Sequence, residues 1–162
     1  MSAPPDPRLI LREDELDAGV ELMLLAEASL WAAVDAGLDA EGLGLGRSHW
    51  RAAFLLRRRP GIGVQELAHL TSLSKQAASR ILADLAGKGL AQKLAGDEDA
   101  RRRSAALTER GLAFEAAISE RVRAHLARAY RTGGLDGVAG ARAILSAMAG
   151  GRTRSPNPSG GR

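Results

Sequence analysis

Residues 63–90, GVQELAHLTSLSKQAASRILADLAGKGL, divide into two short helical patterns with a tight connection between them. In the second pattern Ala78, Ile81, Leu82 and Leu85 recur at i, i+3, i+4 and i+7, which puts them on one stripe of a helix. Gln76, Ser79, Arg80 and Ala83 keep the same spacing on the opposite side. Ser74 stands just ahead, where its hydroxyl can cap the unpaired N–H groups of the first turn, and the helix is expected to run to about Gly87 with Gly89 as a left-handed stop. The first helix is predicted over about Val64–Leu70, with Gly63 as its N-cap, Glu66 reaching back from N3, and Leu67, Ala68 and Leu70 buried. A polar face on a helix that is itself seated on a second helix is what a major-groove reader requires. The pair therefore predicts a helix-turn-helix in contact with duplex DNA. An ordinary αα-hairpin would show the same apolar spacing, so the flanking chain has to decide between them.

Downstream, LAQKLA (Leu90–Ala95) and SAAL (Ser104–Leu107) are predicted as two short strands. Both are poor in β-branched residues, against their propensity. The connection GDEDARRR (Gly96–Arg103) is too charged to be buried and joins apolar segments of matching length. A strand–loop–strand in this place is a wing, whose Arg101, Arg102 and Arg103 would reach a minor groove or flanking phosphates. Thr108 then caps a helix with Leu112, Ala116, Ile118, Val122, Leu126, Ala129 and Tyr130 as its apolar stripe, ending at Gly133-Gly134. A last helix is expected over Leu135–Met148.

Upstream, a long helix is predicted from Glu13, where Glu13, Asp14, Glu15 and Asp17 favour the positive end of the helix dipole. Its apolar set is Leu16, Val20, Met23, Leu24, Ala26, Leu30, Trp31, Val34 and Leu38, with Leu22 and Leu25 beside it. Such a wide stripe suits either a central core helix or a helix covered by another subunit. Gly42, Gly44 and Gly46 mark a connection, and Arg47–Arg58 forms a second helix around Trp50, Ala53, Phe54 and Leu56. Arg57, Arg58 and Arg59 suit the negative end of that helix and read as a solvated terminus before Pro60-Gly61 stops it. Residues 1–11 read as a flexible arm, 12–149 as one domain, and 150–162 as a disordered tail.

The chain has 162 residues, 45% of them apolar but only 3% aromatic, so its core must be built from aliphatic side chains, which favours helices. No cysteine is present, which removes disulfides, cysteine-based zinc sites and thiol sensing. His49, His69 and His125 have no metal-ligand spacing, and no cofactor is expected. No apolar run reaches the length of a bilayer span, and the N-terminus lacks a secretory pattern, so a cytoplasmic protein with no membrane role is expected. The net charge of +4 is unevenly placed: residues 1–62 carry seven basic against ten acidic side chains, and residues 112–162 eight against three. No phosphate-binding glycine loop, nucleophile–base pair or His/carboxylate cluster occurs, so the chain is not read as an enzyme. A winged-helix module that binds protein rather than DNA is the rival reading.

Residues 43–111 resemble a MarR-type winged helix-turn-helix transcriptional regulator. The matching pieces are HWRAAFLLRRRPG (His49–Gly61), ELAHLTSLSKQAASRILADLAGKGL (Glu66–Leu90), Asp99-x-Arg101 in the wing, and LTERG (Leu107–Gly111), in order and at the family's separations. The resemblance implies a mainly α fold with a small two-stranded β wing, a DNA-binding lobe over about 47–107, and dimerisation helices over about 13–40 and 108–149. It implies a homodimer acting on a pseudo-palindromic operator, as a repressor or an activator. Ser74, Lys75, Gln76, Ser79 and Arg80 would meet double-stranded DNA, as would Arg101, oriented by Asp99, with Arg102 and Arg103. Many relatives answer to a small aromatic or phenolic effector, for which Trp31, His49, Trp50 and Arg51 are the candidate pocket. Ser72 stands where the family usually has Gly in the turn, Gly63 where it has a Ser/Thr cap, and Ala100 where a second basic residue follows the wing Asp.

Overall fold

The computed structural model describes residues 9–94 and 104–150. Five helices and one two-stranded sheet follow in the order α1 (Glu13–Glu41), α2 (Arg47–Arg58), α3 (Val64–Thr71), α4 (Lys75–Gly87), β1 (Ala91–Lys93), β2 (Ala105–Leu107) and α5 (Glu109–Ala149). The mainly helical fold with a small antiparallel sheet is the one expected. The strands pair with Ala91 opposite Leu107 and Lys93 opposite Ala105. Gly63 bridges to Ser104, so the segment entering α3 leans on the sheet.

The core gathers around α2. Trp50, Ala52, Ala53 and Leu56 are buried there against Leu67 and Ala68 of α3, Ala78, Ile81 and Leu85 of α4, and Phe114 and Ile118 of α5. Leu70, expected to be buried, is only half-buried, and Phe54 likewise. Gly134 has φ 66° and ψ −177°, which interrupts α5 where two successive helices were predicted. Only a left-handed backbone with no Cβ to crowd it makes that break cheaply.

One expectation needs correction. The stripe of α5 that faces its own chain is Phe114, Glu115, Ile118 and Ser119, whereas Leu112, Ala116, Leu126 and Ala129 are exposed. A Glu inside an apolar stripe reads as outward-facing unless its counter-ion is known, and here Arg57 supplies it. For α1 the exposure pattern bears on the two alternatives left open by its sequence. Val34, Gly37 and Leu38 are buried, but residues 13–29 are exposed throughout. A central core helix is therefore not what α1 forms over most of its length. Leu22, Met23, Leu24 and Leu25 are consecutive and all exposed, so the helix is apolar around most of its circumference there.

Candidate nucleic-acid interface

The turn between α3 and α4 keeps a left-handed residue without glycine: Ser72 has φ 59° and ψ 32°. The Leu73 N–H then reaches back to the Ala68 carbonyl at 3.0 Å. Ser74 opens α4 as expected, its hydroxyl accepting the Ala77 N–H at 3.1 Å. Lys75 is the first helical residue, and Gln76, Ser79, Arg80 and Ala83 are all exposed on one face. Opposite them Ala78 and Leu85 are fully buried, which fixes the rotation of the helix about its axis. The end of α4 closes with Gly89 at φ 72°, its N–H on the Ala86 carbonyl and the Leu90 N–H on that of Leu85. Asp99, Arg101, Arg102 and Arg103, the expected wing contacts, lie outside the described residues.

Arg51, Arg57 and Arg59 hold this lobe in place, although Arg57 and Arg59 were expected in a solvated helix end. Arg51 donates to the Thr71 carbonyl at 3.2 Å, closing the C-terminal end of α3. Arg59 pairs with Glu66 at 3.3 Å. Arg57 Nε lies 2.6 Å from Glu115 Oε2, an ion contact whose N–H points off the oxygen. Glu115 is wholly buried, and its other oxygen accepts the Ser119 hydroxyl, which in turn receives the Trp50 indole N–H at 3.2 Å. The run Arg57–Arg59 is thus a pair of cross-helix ties, with only Arg58 left exposed over the Phe54 ring. A buried acid in the stripe of α5 was the one signal that could have found the first tie.

Of the expected effector residues, three come together and one does not. Trp31 meets Trp50 edge-on, with ring centroids 6.2 Å apart, and the Arg51 guanidinium sits 5.9 Å from the Trp31 centroid. Arg47, which was not foreseen, lies closer to that ring at 5.3 Å while forming a two-pronged pair with Asp35 at 2.8 and 2.6 Å. That pair holds the Asp35 carboxyl below its ordinary range and raises Arg47, hydrogen bonding being the main cause for both. His49 points elsewhere. Its Nδ1 accepts the Gly46 N–H at 3.0 Å, so its Nε2 carries the proton and donates to Asp84 of α4 at 3.1 Å. Among the described residues no group of His, Asp and Glu could hold a metal ion, and no helix is long and apolar enough to cross a membrane.

A capped helix with a polar outer face, seated on a second helix and followed by a two-stranded sheet, defines a winged helix-turn-helix. Residues 43–102 match the family model described as the MarR family. The chain is 36% identical over 140 residues to the HTH-type transcriptional regulator PetP of Rhodobacter capsulatus, a match spanning 86% of this chain and 83% of that one. Among solved structures it is similar to NadR in complex with 4-hydroxyphenylacetate, at TM-score 0.71 and 20% identity over 91% of this chain and 99% of that one. It is also similar to the Mycobacterium tuberculosis MarR family protein RV2887 in complex with salicylic acid, at TM-score 0.57 and 25% identity over 86% and 97% of the two chains. The chain belongs to the MarR family of transcriptional regulators.

Proposed function

We propose that the chain is a dimeric repressor that binds a pseudo-palindromic operator in duplex DNA through α4 and the wing. The observation that carries this reading is the exposed Gln76–Ser79–Arg80 face of α4, held outward by complete burial of Ala78 and Leu85 behind it. Lys75 and the N-terminal amides near Ser74 meet a phosphate. Gln76 reads adenine, Arg80 reads guanine or braces a phosphate, and Ser79 adds a short adaptable bond. Arg101, Arg102 and Arg103 with Asp99 extend the contact from the wing. Bound near a promoter, such a protein excludes the transcription machinery, and that work places it in the cytoplasm with no catalytic step assigned to it.

The dimer is supported by the faces that the chain leaves uncovered. Leu16, Val20 and Leu24 of α1 and Leu112, Leu126 and Leu145 of α5 are all exposed. A helix apolar on nearly every side requires a partner to cover it. The helices of about 13–40 and 108–149 supply that contact, and the lobe of about 47–107 reads the DNA. Two such lobes would engage half-sites about 10 bp apart.

A gel shift against the DNA upstream of the chain's own coding region, at low and high salt, tests this. Sequence-selective binding that falls steeply with salt supports it. No binding to any duplex at low salt would favour the protein-interaction module instead. NadR and RV2887 were each solved with a small aromatic acid, and we extend that class of effector to this chain. The half-buried Trp31 face beside Trp50 and Arg51 suits an aromatic carboxylate. His49 is a lesser candidate there, because both its nitrogens are already engaged. Release of bound DNA on adding salicylate or 4-hydroxyphenylacetate, lost in Arg51→Ala, is the expected result.

A further inference from the structure

α5 touches the DNA-reading lobe at two levels of the same helix. At its first turn, Thr108 donates its hydroxyl to the Gly89 carbonyl at 2.7 Å and its N–H to that of Leu90 at 3.0 Å. About two to three turns further on, Glu115 meets Arg57 and Ser119 meets Trp50, both partners belonging to α2. α2 and the Arg59 cap that ends it in turn hold both helices of the reading pair, through Arg51 on Thr71, Arg59 on Glu66 and His49 on Asp84. Two attachment points on one rigid rod define an angle, whereas one alone would define a hinge. The first point is backbone and cap. The second rests on a charge pair whose carboxylate is fully buried.

An ion pair with one fully buried member adds little stability over an apolar substitute, because desolvation of the Glu115 carboxylate offsets its attraction to the part-exposed Arg57. What it supplies is direction, since a misplaced lobe would leave the Glu115 carboxylate buried without its counter-ion, with only the Ser119 hydroxyl to partner it. We propose that the Arg57–Glu115 pair is a positioning joint, setting the angle between the reading lobe and α5 and thereby the half-site spacing that the dimer accepts. This rests on the dimeric DNA-binding function proposed above. Adding one base pair between half-sites turns one against the other by about a tenth of a turn, so a fixed lobe angle tolerates few spacings.

The test uses the full-length protein and a set of duplexes carrying two copies of a selected half-site, with the spacing changed by one base pair either way. Wild type is expected to favour one spacing by about tenfold or more. Glu115→Gln removes the charge and keeps an acceptor for Ser119. Arg57→Gln with Glu115→Gln replaces the ion pair by a neutral one and leaves no buried charge, which guards against a variant that fails to fold. Both are expected to lower the preference to about threefold or less, chiefly by weakening the favoured spacing. An equal loss at every spacing would mean a general structural role and overturn the proposal, as would an unchanged preference or a wild type indifferent to spacing. A wild type that binds no duplex would instead remove the function on which the proposal rests.

Discussion

Gly111 is the third residue of α5 and lies against the backbone at Leu90. A Cβ placed there would sit 2.8 Å from the Leu90 carbonyl carbon and 3.2 Å from its Cα, with the carbonyl oxygen closer still. Carbon atoms prefer separations of about 3.5–4.0 Å, so Gly111→Ala forces the two backbones apart by roughly an ångström. Leu90 has little room to retreat. Its side chain is fully buried, its N–H is bonded to the Leu85 carbonyl at 2.8 Å, and its own carbonyl accepts the Thr108 N–H. Overpacking costs about 1–3 kcal/mol, and the strained Thr108 bond about 1 more. The better helix propensity of Ala returns up to about 1 kcal/mol. A net loss of about 1–4 kcal/mol lowers Tm by roughly 2–16 °C for a chain of this size. Thermal unfolding followed by circular dichroism at one fixed protein concentration measures it. Gly87→Ala is the control, since nothing lies within 4 Å of a Cβ there, and it is expected to be neutral or stabilising by up to about 1 kcal/mol. A Gly111→Ala protein melting at or above wild type would refute the close approach.

Three further outcomes are expected. Arg80→Ala loses about 1–3 kcal/mol of specific affinity and relaxes the sequence preference at one position, whereas equal binding at every salt concentration would remove Arg80 from the interface. Ser72→Gly relieves a left-handed non-glycine residue, worth about 1–2 kcal/mol, against up to about 1 for the freer unfolded chain. A Tm raised by a few degrees is expected, and a lowered one would show that the Ser72 side chain matters more than its backbone. Asp35 is held below its ordinary value by Arg47, so its contribution is present above about pH 4 and fades as pH falls through the lowered pKa. Wild type should therefore lose more stability than Asp35→Asn between pH 5 and pH 3. Both side chains are solvated, which keeps the difference small, and the reverse order would contradict the pairing.

How far the residues could be read in advance depended on how local the deciding physics was. The reading helix was legible in full, because a cap at Ser74, four apolar positions and a glycine stop all act within one or two turns. The end of α2 at Arg58 and the break at Gly134 were legible for the same reason. The stripe of α5 was not, since Glu115 and Ser119 are inside only by virtue of Arg57 and Trp50 on another helix. The same limit hid the roles of Arg51 and His49: each had been grouped with Trp31 by residue type, and the backbone sends His49 toward Asp84 instead. The width of the apolar surface on α1 was visible, but periodicity reports that a face must be covered, never by which chain.

The distribution of these ties bears on where the molecule is vulnerable. α4 presents the exposed face, yet the polar contacts that hold the reading pair originate on α2 and its C-cap: His49 to α4, Arg51 and the cap residue Arg59 to α3. The same helix faces α1 through Arg47 and Trp50, and α5 through Trp50 and Arg57. Any displacement of α1 or α5 that reaches α4 through side chains therefore has a path across α2. The Trp31–Arg47–Arg51 cluster sits on that path, and Arg51 belongs at once to the cluster and to the end of α3. An anion drawing the Arg51 guanidinium away from the Thr71 carbonyl would free the last turn of α3, the turn from which Ser72 and Leu73 launch the reading helix. Effector response and operator geometry would then share one element, and changes in α2 should alter both while leaving the exposed face of α4 chemically intact.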